Sequence, residues 1–305
     1  VADRHEPVET IAPNPTRTTQ NRSVIMQEFR GRTAVVTGAG SGIGRALAHA
    51  FAGEGMQVAL ADLDPQALAE SEASIRDSIP SAELVAQVCD VSSAAAVDAL
   101  ADAVFDRWGQ VHLVCNNAGV FVGGFIWDRP LADFEFVLGA NLWGILHGIR
   151  AFVPRMMAQG TEGHIVNTSS VAGLFGAPFE APYAISKFAA FAATESLAND
   201  LAAAGSSLKA SVLCPGMIST NIVDSDRHRP ARLATEFTED QKFVSDYLAS
   251  AVADGMDPAE VAQIVIAAIR AEQFLILTHD SYPKELETRV EALVARRLPD
   301  IPEFA

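Results

Sequence analysis

The chain has 305 residues, 49% of them hydrophobic and 20% charged, with a formal net charge of −16. That length supplies a large core, and the acidity argues against a nucleic-acid or anionic-membrane partner. No uninterrupted apolar run reaches the roughly 18 residues of a bilayer span. The most apolar helix expected, over residues 183–204, is broken by Lys187, Glu195 and Asp200.

Residues 1–30 carry Pro7, Pro13, Pro15 and mixed charges without the basic-then-apolar order of a targeting signal. They are expected to form a flexible tail, and the cytoplasm is the expected compartment. Cys89, Cys115 and Cys214 form no CxxC pair and fall in or beside apolar strand candidates, so they read as core residues and no metal site is expected.

From residue 32 onward, short apolar runs alternate with segments of helical period. Strands are expected over 33–37, 57–62, 83–89, 112–116, 164–168, 208–213 and 274–277. Helices are expected over 43–54, 65–77, 94–107, 131–158, 183–204 and 258–271. Runs such as Ala34-Val35-Val36 are apolar on both faces, which indicates a parallel sheet covered by helices on each side. No internal linker breaks residues 31–280, which are read as a single domain. The polar connection 217–256 leaves a strand's C-terminal end and is expected to act as a lid. Residues 281–305 form a C-terminal extension, with a helix expected over 284–298.

The first strand enters Thr37-Gly38-Ala39-Gly40-Ser41-Gly42-Ile43-Gly44 ahead of a helix. Glycines there allow backbone N–H groups to approach a pyrophosphate, and the helix dipole favours that anion. Asp62, twenty-four residues beyond Gly38, ends the second strand. Its carboxylate suits ribose hydroxyls and repels a 2′-phosphate, so NAD is favoured over NADP. Arg45 is read as solvated or salt-bridged. Asp90-Val91, after the third strand, suits the adenine end or a helix cap.

Tyr183 and Lys187 lie four residues apart, one above the other on a helix. A fixed ammonium beside a phenol favours phenolate, so Lys187 is expected to lower the tyrosine's pKa.

With these residues goes a series of motifs: Thr37-(x)3-Ser41-Gly42-Ile43-Gly44, Asn116-Asn117-Ala118-Gly119, Asn141, Val166-Asn167-Thr168-Ser169-Ser170, Tyr183-(x)3-Lys187, and Pro215-Gly216 with Thr220 beyond. In order and spacing the chain resembles a short-chain dehydrogenase/reductase of the standard single-domain branch. The resemblance implies a Rossmann-type, doubly wound, parallel seven-stranded α/β sheet. It implies a catalytic tetrad of Asn141, Ser170, Tyr183 and Lys187, with Tyr183 as general acid/base, Ser170 on the substrate oxygen and Ser169 structural. Asn141 would break the long helix and hold a water leading from Lys187 to solvent. Asn116, Asn117, Ala118 and Gly119 would line the cofactor, and Pro215, Gly216, Ile218 and Thr220 would meet its nicotinamide end. Separately, Ala189, Ala190, Ala193 and Ala198 on the helix from Tyr183 would let a neighbouring helix approach closely, and with the 131–158 helix they suggest a four-helix contact in a homo-oligomer, a tetramer or dimer.

Flanking Val120, Phe121, Val171, Leu174, Phe175, Phe179, Met217 and Ile218 suggest apolar pocket walls and a small hydrophobic alcohol or ketone as substrate. Glu180 departs from that character and reads as a solvated rim carboxylate, with selection of a hydroxylated or cationic substrate as the alternative. Arg227, His228, Arg229 and Arg232 read as a solvated loop, with a carboxylated or phosphate-bearing acyl carrier as the alternative, and His147 as a packed interface histidine. Two other readings stand beside the oxidoreductase: lyase or dehalogenase chemistry on the same fold, and a non-enzymatic NAD-sensing scaffold.

Overall fold

The computed structural model describes residues 26–302. Most of the expected tail, residues 1–25, lies outside the described residues. Its end does not behave as a tail, because Met26 and Phe29 are buried in the core. Seven strands alternate with helices in chain order: β1 (Thr33–Thr37), β2 (Gln57–Asp62), β3 (Leu84–Val88), β4 (Leu113–Asn116), β5 (Gly163–Thr168), β6 (Leu208–Cys214) and β7 (Leu275–Leu277). The helices are α1 (Gly42–Gly53), α2 (Pro65–Ser78), α3 (Ala94–Trp108), α4 (Leu131–Leu138), α5 (Gly144–Gln159), α6 (Ala181–Ala203), α7 (Glu239–Ala253), α8 (Pro258–Arg270) and α9 (Tyr282–Val294).

All strand pairs are parallel, in the order β3-β2-β1-β4-β5-β6-β7. The register of β1 shows why its sequence is apolar throughout. Ala34 and Val36 enter the core under α1, α2 and α8, while Val35 enters the opposite core under α3, α5 and α6. Local chemistry sets the helix ends: Asp64 caps α2 ahead of Pro65, and Ser93 caps α3, which stops at left-handed Gly109. Strand order reverses at β1, between β2 and β4, which opens a crevice at the carboxyl edge of the sheet.

The expected break in the long helix is present, and three other expectations change. The helix expected over 131–158 is interrupted by a π-turn, Gly139–Trp143, centred on the fully buried Asn141. Among the described residues Leu131–Gln159, rather than residues 183–204, is the helical rod long and apolar enough to cross a bilayer, although half of its apolar stretch is buried inside the molecule. The connection 217–256 contains α7, started by a capping box in which Thr238 and Gln241 exchange hydrogen bonds with each other's backbone. Finally, α9 stops at Val294, because Arg296 turns left-handed and Arg296 N and Arg297 N donate back to Leu293 O and Ala292 O.

Candidate active site

The glycine-rich turn joins β1 to α1. Gly38 has φ +67°, and a Cβ on Gly44 would lie 2.0 Å from the Gly38 carbonyl oxygen, so the turn closes on that carbonyl only without a side chain. The Thr37 hydroxyl accepts from Asn117 N and Ala118 N at 2.9 and 3.1 Å, which ties the turn to the end of β4. Asp62 reaches over from β2, its two oxygens accepting from Gly40 N at 2.8 Å and Asp64 N at 2.9 Å. Arg45 is committed elsewhere: its guanidinium donates to the Gly40 carbonyl and faces Glu70 at 3.9 Å.

The tetrad gathers from the π-turn (Asn141), the end of β5 (Ser170) and α6 (Tyr183 and Lys187). Lys187 is buried and its Nζ donates to Thr168 O at 3.0 Å, while Ser169 Oγ donates to the Lys187 carbonyl at 2.7 Å. Ser169 thus ties the end of β5 to α6. Ser170 starts a 3-10 turn, accepts from Ala172 N at 3.1 Å and hydrogen-bonds the Tyr183 phenol. Asn141 Oδ1 accepts from Val120 N at 2.8 Å, and its Nδ2 donates to Val120 O at 3.0 Å and Ser186 Oγ at 2.9 Å. Ser186 Oγ in turn donates to Tyr183 O. Asn141 thus clamps the strand-end loop to α6 and holds the tyrosine's backbone.

One expectation about charge is overturned. Burial pushes the Tyr183 phenol up to about 12, with the Ser170 hydrogen bond pulling down and the Glu180 carboxylate pushing up. Burial also lowers the Lys187 ammonium to about 8. The ammonium lies 5.4 Å from the centre of the tyrosine ring. In the protein alone, lost solvation of the phenolate outweighs that attraction.

These residues share one cleft of about 1210 Å³. Gly38, Ser41, Gly42, Ile43, Asp62, Asp90, Val91, Asn117, Ala118, Gly119, Ser170, Tyr183, Lys187, Pro215, Gly216, Ile218 and Thr220 all line it. Gly40, Gly44 and Asn141 do not, and act on it through the turn and the clamp. Asn116 is also absent: it is buried in the sheet, donating to Asn167 Oδ1 at 2.8 Å, because alternation along β4 sends its side chain into the layer. Asp90 Oδ1 accepts from Ser92 N and Oγ, which gives it a turn-capping role at the cleft wall. Leu174 leaves the set of pocket walls as well, being packed in the core beside Tyr282.

Sequence reasoning missed the far wall, formed by Phe243, Val244, Tyr247 and Leu248 of α7. The signal available was the capping pair Thr238 and Gln241. The basic loop also divides on inspection. Arg229 is buried on Asp133 at 3.0 Å, Arg232 pairs with exposed Glu135, and Arg227 and His228 line the cleft near Asp62 and Asp64. His147 lines the cleft wall and bonds Val91 O at 2.9 Å through Nδ1, packed against Trp143. The three cysteines are buried, with thiols pushed up by burial, which suits core packing.

A glycine turn at the switch point, an acid beneath it and a Ser–Tyr–Lys cluster in one cleft define an oxidoreductase of the dinucleotide-binding α/β class. The model of the short chain dehydrogenase family matches residues 32–231, and the chain belongs to that family. A crystal structure of a short chain dehydrogenase/reductase from Burkholderia phymatum in complex with NAD superposes with a TM-score of 0.88 at 42% identity, over 92% of this chain and 100% of that one. The CLA biosynthesis dehydrogenase/reductase of Lactiplantibacillus plantarum is 30% identical over 90% of this chain and 98% of its own length. The 1-deoxy-11-beta-hydroxypentalenate dehydrogenase of Streptomyces exfoliatus is 40% identical over 63% and 69% of the two chains. As an alcohol-acting member of this family the chain is an enzyme with a nucleotide-binding fold of this kind.

Proposed function

We propose that the chain interconverts a hydrophobic secondary alcohol and its ketone with NAD as the redox partner. The observation that carries this reading is the shared cleft: Tyr183, Ser170 and Lys187 face the same cavity as Asp62 and the glycine turn. The turn fits a dinucleotide, because a Cβ on Gly42 would lie 2.9 Å from Thr220 Cγ2 and fill the cradle, and Asp62 offers its carboxylate to ribose hydroxyls. Bound NAD supplies the hydride acceptor.

The chain's own residues do the rest. Tyr183 takes the hydroxyl proton during oxidation and returns one during reduction, a role that contributes about 10²–10⁴ in rate. Ser170 donates to the reacting oxygen and fixes its position beside the phenol. Lys187 holds a positive charge under the tyrosine and presents it to the ribose. Phe121, 5.0 Å from the Tyr183 ring, helps exclude water. The segment 217–256 covers the cleft as a lid whose base is closed by Met256 N donating to Met217 O and Ser219 N donating to Met256 O, both at 3.0 Å.

The test is absorbance at the NADH band with a panel of hydrophobic secondary alcohols, NADP run in parallel. Turnover with NAD at least tenfold above NADP is expected, and equal rates would remove the selector role of Asp62. Tyr183→Phe is expected to lose about 10²-fold or more in kcat while still binding NAD in a fluorescence titration. Undiminished kcat would exclude the acid/base role.

A further inference from the structure

Glu180 is the one carboxylate beside the tyrosine, and the fold goes to some length to place it. Its carbonyl opens α6 by accepting from Ala184 N at 2.7 Å, yet its side chain makes no capping bond. Pro182, at the second helical position, removes one of the N–H groups that such a side chain normally caps. Among the described residues no hydrogen bond or ion pair holds this carboxylate. It is half-buried and lines the cleft with Tyr183, and its charge acts on the phenol. Burial raises the carboxyl above its ordinary range, as a solvated rim position would not.

The backbone just before it is strained. Phe179 has φ +63°, a left-handed conformation that costs a bulky residue on the order of 1–3 kcal/mol. Its carbonyl accepts from Gly124 N at 2.6 Å, and its ring packs 4.4 Å from Phe125 and 5.8 Å from Phe243. Strain therefore sets an aromatic wall and an unpaired acid side by side in the cleft.

We propose that Glu180 is a specificity residue that hydrogen-bonds a second hydroxyl on the carbon next to the reacting carbinol, so that the substrate is a hydrophobic vicinal diol and the product its α-hydroxy ketone. This rests on the alcohol–ketone reading above. Glu180 and Tyr183 line the same cleft at the head of α6, and the carboxylate is close enough for its charge to act on the phenol, which sets it on the side of the neighbouring carbon when the reacting oxygen sits on Tyr183. The chemistry balances: the carbinol C–H leaves as hydride to NAD, the O–H proton goes to Tyr183, the C–O bond becomes C=O, and the second hydroxyl is unchanged. A hydroxyl pairs with the carboxyl in either protonation state. An ammonium would have to enter a cleft that already holds the Lys187 charge.

The probes are 1-phenyl-1-propanol, 1-phenyl-1,2-propanediol and 2-amino-1-phenyl-1-propanol, which differ by a single group. The native enzyme is expected to show kcat/KM for the diol about ten- to a hundredfold above the mono-ol, mainly through KM. Glu180→Leu is expected to bring that ratio to one or below, and Glu180→Gln to keep it well above one. A ratio near one in the native enzyme, a ratio unmoved by Glu180→Leu, Glu180→Gln as damaging as leucine, or preference for the amine would each overturn this inference and leave the alcohol–ketone reading intact. Oxidation of none of the three with NAD, or of any simple secondary alcohol, would overturn both.

Discussion

Burying a phenol and an ammonium together sets two costs against each other, and the residues at this site show both. Tyr183 is pushed up to about 12 and Lys187 down to about 8, each by lost solvation of its charged form. The tyrosine then starts as a firm proton holder, suited to ketone reduction, and releases its proton when a positive charge arrives beside it. The lysine is charged at neutral pH at a cost: a shift from 10.5 to about 8 corresponds to about 3 kcal/mol. Its folded pKa is below the unfolded one, so the penalty is full below about pH 8 and gone above about 10.5, and the stability it contributes rises with pH between them. Lys187→Met is therefore expected to raise stability at pH 7 by about 1–3 kcal/mol, less what the Thr168 carbonyl loses with its donor, and to abolish turnover. Urea unfolding at pH 7 and pH 10 checks this. A variant less stable than the parent at pH 7, or one with the same gain at both pH values, contradicts the assignment. Such an exchange of stability for function is the expected signature of an active-site charge.

At the level of elements, the segment 217–256 is held by ions rather than by apolar packing alone. Asp133 on α4 is fully buried between Arg229 Nη1 at 3.0 Å and Arg129 Nη1 at 3.6 Å, and Arg129 Nη2 reaches Asp240 Oδ1 of α7 at 3.0 Å. Thr235 Oγ1 donates to Asp133 at 3.1 Å, and Phe125 N donates to Asp240 at 2.9 Å. Burial raises the Asp240 carboxyl, yet bonds from Thr238 and Phe125 and the Arg129 charge leave it below its ordinary range. Removing one partner of a buried pair costs about 3–5 kcal/mol because the other charge stays buried. Asp133→Ala is expected to remove the buried carboxylate that joins Arg129 to Arg229, leaving each with a single acid, Asp240 or Asp226, and to loosen this segment first. Hydrogen exchange should quicken across 222–253 while β1, β4 and β5 stay protected, and an even rise over the whole chain would speak against a local latch. None of this network was legible in the sequence, since Arg129 and Asp240 are 111 residues apart and Arg229 sits in what reads as a solvated basic loop. The strands were legible because each is a short apolar run bounded by turns, and the site motifs because they sit at strand ends. The break at Asn141 was legible from the resemblance. Helix α7 was not, because Pro230 and the charged run before it mask the capping pair at Thr238 and Gln241.

For the molecule as a whole, the parallel sheet encloses polar groups that fix its response to acid. His164 lies on β5 with 1% exposure, and its Nε2 is 2.6 Å from Ser211 Oγ on β6. The Ser211 hydroxyl donates to Gln273 O, so it accepts from His164, and the imidazole proton resides on Nε2. Burial, with the nearby Lys209 charge, lowers His164 from 6.5 to about 4. His112, one strand over, accepts from Thr33 N at 3.2 Å through Nδ1 and is also lowered by burial. The His112 ring accepts from Thr33 N only while its Nδ1 is unprotonated, whereas His164 can donate to Ser211 in either state and it is burial that opposes its charge. The folded pKa of His164 is below the unfolded one, so its contribution is full above about pH 6.5 and lost as pH falls toward 4. Between pH 8 and pH 5 the unfolded chain takes up a proton that the fold refuses, which removes about 2 kcal/mol. His164→Gln keeps a donor for Ser211 and cannot titrate, so its stability should fall less over that interval by about that amount, even if it starts lower. Urea midpoints at half-unit steps from pH 8 to pH 5 decide the matter: parallel curves for parent and variant would mean that the sheet's acid sensitivity arises elsewhere.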